Sequence, residues 1–272
     1  MTKYIYNTEI FTSETSESFY LLGAFMADGH IKKSGSVSLS SKDEDWLSLL
    51  RDVICNKLPL QYANSSKTVK AIVINSKIIR SWLLSYECTP QKSLTLKFPE
   101  IPEKYLPDFL RGYLDGDGHI GVHKQSKSGR NKKLNFNVSC EFTTASEKFS
   151  TKLSEILNSL GFKNSIKTIN PGSRANQFIN SREIIQKNNI YQIKISSNYA
   201  YKFINYIYYN DKLLSMPRKH DIARFILANC FKHKENKRSE TDIIDLLNNY
   251  HCITDKYSSK YAVCVGKANS MG

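Results

Sequence analysis

Two aspartates in this chain stand in the same local context. Asp28 lies in Leu21-Leu22-Gly23-Ala24-Phe25-Met26-Ala27-Asp28-Gly29, and Asp117 lies in Leu110-Arg111-Gly112-Tyr113-Leu114-Asp115-Gly116-Asp117-Gly118. Each nonapeptide is followed by His-Ile (His30-Ile31 and His119-Ile120), at a constant offset of 89 residues (117 − 28). Paired carboxylates suit one kind of work. Side by side they repel each other, and a hard divalent cation, Mg²⁺ or Mn²⁺, relieves the repulsion through oxygen ligation. Metal ions held near a phosphodiester activate water and stabilise the leaving oxygen. A single copy would read as a helix end with a solvated aspartate. The duplication, with matched small residues, points to two similar halves meeting at a shared site.

The elements that must position these acids are helices. Phe19, Leu22, Phe25 and Met26 recur at helical spacing in the first copy, as do Phe109, Leu110, Tyr113 and Leu114 in the second. Small residues repeat four apart, Gly23 with Ala27 and Gly112 with Gly116. Each forms a flat strip on one helix face. A glycine costs a helix roughly 1 kcal/mol, so three inside apolar helices need a packing reason, and close helix pairing supplies one. Paired in parallel, the helices deliver Asp28 and Asp117 together at their last turns, where the helix dipole adds to the repulsion. Gly29 and Gly118 fit the left-handed C-terminal cap.

These residues carry a resemblance. Gly23, Ala27, Asp28 and Gly29, with Leu110, Gly112, Asp115, Asp117 and Gly118, resemble the paired signatures of the LAGLIDADG homing endonuclease family. The resemblance implies a monomeric, site-specific double-strand DNA endonuclease encoded in mobile introns or inteins. It also implies an α+β fold of two pseudo-symmetric αββαββα half-domains forming a saddle of antiparallel sheets. Asp28 and Asp117 would be the catalytic metal ligands, with the Ala27 and Gly116 carbonyls facing the metals and no cofactor beyond a divalent ion. Met26 departs from the pattern, standing where the second copy has Asp115. The family places basic residues near the cleavage centre; Lys77 and Lys194 are the choices here, with Lys92 as a further candidate. The alternative on the same scaffold is an intron maturase that binds host intron RNA, or a DNA-binding regulator that does not cleave.

The element order repeats with the motif. A polar leader, 1–15, precedes a first half-domain, 16–88. A proline-bearing linker, 89–105, leads to a second half-domain, 106–226, and a small C-terminal extension, 227–272. Ser239 and Asp242 are set to cap a helix in that extension. The alternating hairpin strands leave a polar face for DNA, and an antiparallel ribbon fits the major groove. In the first half that face takes in Lys32, Ser34, Ser36, Ser38, Ser40 and Lys70. In the second half it takes in Asn135, Asn137, Ser139, Glu141, Lys167 and Gln192, with Lys124, Lys127, Arg130, Lys132 and Lys133 at a hairpin tip and Arg174 and Arg182 in a long polar loop.

The chain of 272 residues carries a net charge of +14, which favours a polyanionic partner. The excess is uneven: 12 Lys+Arg against 10 Asp+Glu in residues 1–100, but 19 against 10 in residues 101–222. Six cysteines form no Cys-x-x-Cys pair, and no long apolar run or signal peptide is present. The expectation is an intracellular protein in a reducing compartment with no membrane partner. Organelle, phage and bacterial cytoplasm are not distinguished.

Overall fold

The computed structural model describes residues 4–90, 92–125, 134–172, 177–179, 182–184, 187–230 and 239–269. The first unit runs α1 (Ser16–Asp28), β1 (Gly29–Ile31), β2 (Val37–Ser41), α2 (Glu44–Cys55), β3 (Gln61–Tyr62), β4 (Lys70–Ile74) and α3 (Lys77–Ser85). The second runs α4 (Leu106–Asp117), β5 (Gly118–Gln125), β6 (Asn135–Thr144), α5 (Glu147–Ser159), β7 (Asn164–Ile169), β8 (Gln177–Ile179), β9 (Arg182–Ile184), β10 (Ile190–Ser196) and α6 (Ser197–Ile207). Two further helices follow, α7 (Pro217–Asn229) and α8 (Glu240–Asn269). The four-stranded sheets have equivalent orders, β1-β2-β4-β3 and β5-β6-β10-β7, and every pairing is antiparallel. The second unit differs by the β8–β9 ribbon inserted in its long polar connection.

Side-chain chemistry explains the helix starts. Thr15 and Ser18 form a reciprocal capping box at α1, the Ser18 N–H donating to Thr15 Oγ1 at 3.1 Å and the Thr15 N–H to Ser18 Oγ at 2.9 Å. Ser76 and Ser146 cap α3 and α5 singly, their hydroxyls accepting from the N–H groups of Ile79 and Phe149. Helices α2 and α5 are amphipathic, burying Trp46, Leu47, Leu50 and Ile54, and Phe149, Leu153 and Leu157, against the helix-side faces of the sheets. Helices α1 and α4 are different: every residue from Ser18 to Met26 and from Leu106 to Asp115 is buried. They form the central layer that both units share.

Helix α8 begins at the expected cap, with the Asp242 N–H donating to Ser239 Oγ at 3.1 Å and the Ser239 N–H to Asp242 Oδ2 at 2.8 Å. Ile243, Leu246, Leu247 and Tyr250 form a buried stripe along it, and it packs on α7 and on the β5–β6 hairpin. The extension is therefore a packed helix, longer than its capping residues alone suggested.

Candidate active site

Helices α1 and α4 meet backbone to backbone because glycine removes the obstacle. A Cβ on Gly112 would overlap the Tyr20 carbonyl oxygen, and one on Gly23 would overlap the Phe109 carbonyl oxygen. Near the C-terminal ends, a Cβ on Gly116 would strike Ala27 Cβ and lie 3.3 Å from Asp28 Oδ2. Equivalent residues of the two motifs are in contact, so the helices run parallel and end together. Gly29 and Gly118 are not left-handed caps. Their backbones are extended (φ −75°, ψ 148° and φ −118°, ψ 173°), because each helix passes directly into a strand. Glycine is needed there for close approach instead, since a Cβ would overlap the carbonyl oxygens of Phe25 and Leu114.

At those joined ends Asp117 is exposed and Asp28 partly so. Enough protein nevertheless surrounds both carboxyls to disfavour their charged forms. Asp28 is raised to about 7, first by lost solvation and then by the neighbouring Asp117, with Lys219 and Lys92 opposing. Asp117 is also raised by lost solvation, with Lys92 and Lys219 opposing. Both acids are raised, so the pair gives up its protons less readily than two isolated carboxyls would. Such a pair has the donor chemistry of a hard-cation site: carboxylate oxygens beside the carbonyls of two helix ends.

The cations acting on the acids are Lys92 and Lys219, one behind each motif. Lys92 donates to the Gly29 carbonyl at 2.5 Å and Lys219 to the Gly118 carbonyl at 2.8 Å, and both lysines are buried. Gly29 and Gly118 are equivalent positions, so the lysines are equivalent too. Lys92 was among the sequence candidates; Lys219 was not. A second internal repeat marks both, Pro90-Gln91-Lys92 and Pro217-Arg218-Lys219, at an offset of 127 residues (219 − 92). Lys77 sits at the start of α3 and is exposed, while Lys194 pairs with Glu141 at 2.5 Å. Neither belongs to the charges that act on the two acids.

Asp115 is fully buried and serves the architecture. Its Oδ2 accepts from the Tyr20 hydroxyl at 2.6 Å and the Met216 N–H at 2.7 Å, and its Oδ1 from the Tyr208 hydroxyl at 3.1 Å. Trp46 Nε1 donates to Tyr20 at 2.7 Å. This chain joins the first unit to the start of α7, and so to Lys219. Arg218 adds a second link, with Nε and Nη2 lying 3.2 and 3.3 Å from the two carboxylate oxygens of Asp43.

Strand parity places the remaining sequence candidates. In the second sheet Phe136, Val138, Cys140 and Phe142 face the helices, so Asn135, Asn137, Ser139 and Glu141 have the outward parity, but Ser139 is a correction: it is fully buried rather than open to DNA. Cross-strand register adds Lys194 opposite Glu141 and Lys167 opposite Gln192 on the same outward face. Glu141 is tied to Gln192 and Lys194, and Asn137 accepts from the Ser197 N–H and hydroxyl. His119 and His123 share this face, and His123 Nε2 lies 2.9 Å from Ser139 Oγ. Lys124 is exposed near the end of β5. In the first sheet Val37 and Leu39 are buried, so Ser36, Ser38 and Ser40 take the opposite parity, though Ser38 is a correction because it is buried as well; Lys32 and Ser34 are exposed at the hairpin turn. Lys70 is a correction. It has the parity of Ile72 and Ile74 and pairs with Glu44 of α2 at 2.5 Å, on the helix side of the sheet. Lys127, Arg130, Lys132, Lys133 and Arg174 lie outside the described residues, as does the side chain of Arg182.

Two pseudo-symmetric α/β units, glycine-paired central helices and twin aspartates at the helix ends define a class of protein. Residues 105–208 match the family described as a LAGLIDADG-like domain. The fold is shared with meganuclease I-SmaMI bound to uncleaveable DNA: TM-score 0.54, 14% identity, covering 88% of this chain and 97% of that one. It is likewise shared with the LAGLIDADG meganuclease I-AabMI bound to uncleaved DNA: TM-score 0.57, 11% identity, covering 86% and 97%. No curated protein sequence matches. Residues 105–208 thus match a LAGLIDADG-like domain, and the fold over most of the chain is shared with these two meganucleases.

Proposed function

We propose that this chain is a site-specific endonuclease of double-stranded DNA, dependent on a divalent cation and acting as a single chain. The observation that carries the reading is the convergence of Asp28 and Asp117 at the ends of glycine-paired helices, beside two outward polar sheet faces. The DNA-bound state of the meganucleases that share the fold supports it. Asp28 and Asp117 would hold Mg²⁺ or Mn²⁺, with the Ala27 and Gly116 carbonyls close by. The ion supplies charge neutralisation at the phosphate and a water of lowered pKa.

The chain's own residues do the rest. Two raised carboxyls, disfavoured as a bare anionic pair, are set to exchange protons for a cation. The outward faces align the duplex: Ser36 and Ser40 on one side and Asn135, Asn137, Lys167 and Gln192 on the other offer donors and acceptors to base edges and phosphates. Selection of cleaved duplexes from a randomised library with Mg²⁺ would give the target. On that target, Asp28→Asn and Asp117→Asn should each abolish double-strand cutting while leaving binding within a few-fold. Full double-strand cutting by either variant would overturn the reading.

A further inference from the structure

The two sheets differ in the reach of their first hairpins. In the first unit β2 pairs with β4 along its whole length, from Val37 opposite Ile74 to Ser41 opposite Lys70. In the second unit β10 accompanies β6 only as far as the pair Ser196–Ser139. Beyond it, the pairs Val122–Val138, His123–Asn137, Lys124–Phe136 and Gln125–Asn135 join β5 and β6 alone. At about 3.4 Å per residue this ribbon projects about 14 Å past the sheet. A two-stranded ribbon is marginal in water unless something packs on its apolar side. Here Val122, Leu134, Phe136 and Val138 are all buried.

Helix α8 lies along that ribbon. Near its start, Glu240 Oε1 accepts from the Leu134 N–H at 3.4 Å, just ahead of β6. Ile243, Leu246 and Leu247 belong to the same buried apolar cluster as the four ribbon side chains. Further along, Tyr250 stands where the ribbon leaves the sheet. A Cβ on Gly121 would lie 2.7 Å from His119 Nε2, 3.2 Å from His123 Nε2 and 3.2 Å from the Tyr250 hydroxyl, and that hydroxyl interacts with the Val122 backbone. The side chain that Gly121 lacks leaves a notch in which a residue of α8 meets both histidines. The buried Ser139 holds His123 from below, Oγ lying 2.9 Å from Nε2. In the first unit β1 and β2 pack on α1 and α2 instead.

We propose that α8 braces the projecting ribbon and thereby makes it a specificity-determining element, with Tyr250 as a positioning residue for His119 and His123. This rests on the endonuclease reading. The outward parity of the ribbon carries His123, Gln125, Asn135 and Asn137, side chains that hydrogen-bond to base edges. A projection of about 14 Å spans about four base pairs at 3.4 Å each, so one flank of the target is read about four base pairs farther out than the other. Side chains ordered before contact lose less entropy on binding than those of a loose ribbon, which is how a helix that touches no base sets discrimination.

The test uses the full chain. Hydrogen exchange without DNA reads the brace: the double substitution Leu246→Ala and Leu247→Ala should speed exchange in residues 122–125 and 135–138 by about tenfold or more, with β2, β4 and β10 unchanged. Selection from a randomised duplex library reads specificity: the same chain should lose discrimination by about fivefold or more per base pair over the outer positions of one flank, with the centre and the other flank unaltered. Tyr250→Phe keeps the ring and removes the hydroxyl. It should relax preference only at the base pairs inside that outer stretch, by a similar factor, with ribbon exchange unchanged. Leu246→Ala alone serves if the double variant does not fold. Unchanged ribbon exchange in the alanine chain would overturn the brace. Faster exchange with a loss of discrimination spread evenly over both flanks would overturn the specificity role. If the unaltered chain selects and cuts no duplex, the endonuclease reading itself has failed, while the exchange measurement still decides the brace.

Discussion

At the scale of single residues, the strongest constraint is the cost of keeping Asp28 charged. Its pKa is pushed from 3.8 to about 7 by lost solvation and by Asp117. Between about pH 4 and pH 7 the folded chain holds a proton that the unfolded chain has released. The contribution of Asp28 to stability is therefore complete below its unfolded pKa and is lost as pH rises through 7. Denaturation in the presence of a chelator should show the unaltered chain losing more stability between about pH 5 and pH 8 than Asp28→Asn, which cannot titrate. Added Mg²⁺ should recover the loss at the higher pH and do little at the lower one, because proton and cation compete for the same oxygens. A pH dependence identical in the two chains would remove the paired-acid electrostatics from the argument. The acids were legible in the sequence because their context is duplicated. Lys219 was not, because its partners lie about a hundred residues away and a lysine in the first turn of a helix reads as a surface residue. Only the twin Pro-x-Lys segments marked it.

At the scale of elements, the paired helices bring the acids together, and the sequence displayed the reason: glycines in apolar helices that ordinary propensity would not place there. Gly112 packs against the Tyr20 carbonyl so closely that Ala cannot enter without moving a backbone. Gly112→Ala should cost about 1–3 kcal/mol, seen as a fall of several degrees in Tm at roughly 2–4 °C per kcal/mol. It should also reduce cleavage more than binding, because the shift separates Asp28 from Asp117 while leaving both outward sheet faces intact. A stable Gly112→Ala chain with unaltered cutting would show that the close approach is dispensable. The element order was readable from alternating and helical periodicities, including the hairpins that leave each motif. The glycines ending the helices were misread, because a local rule for helix caps ignores a chain that turns at once into a strand. Lys70 was misplaced for a related reason. Its charge suggested a wet face, but strand parity and the Glu44 carboxylate hold it on the helix side.

At the scale of the whole molecule, the net charge of +14 is uneven along the chain, with an excess of nine positive charges in residues 101–222 against two in residues 1–100. Phosphate contacts release counterions, so affinity should fall linearly in log–log salt with a slope of about −0.9 per phosphate neutralised. The uneven charge means that this slope is set mainly by the second unit. Lys167 tests the point: it is exposed on the outward face, opposite Gln192. Lys167→Gln should weaken binding by a similar factor on every duplex and reduce the magnitude of the slope by about 1, with no change in the preferred sequence. Lys97, paired with Glu87 at 2.8 Å beyond α3, provides the control, and Lys97→Gln should leave the slope unchanged. If Lys167→Gln altered the preferred base at one position instead, that lysine would be reading sequence. A slope insensitive to Lys167 but sensitive to Lys97 would place the duplex on a different surface, away from the faces that flank Asp28 and Asp117.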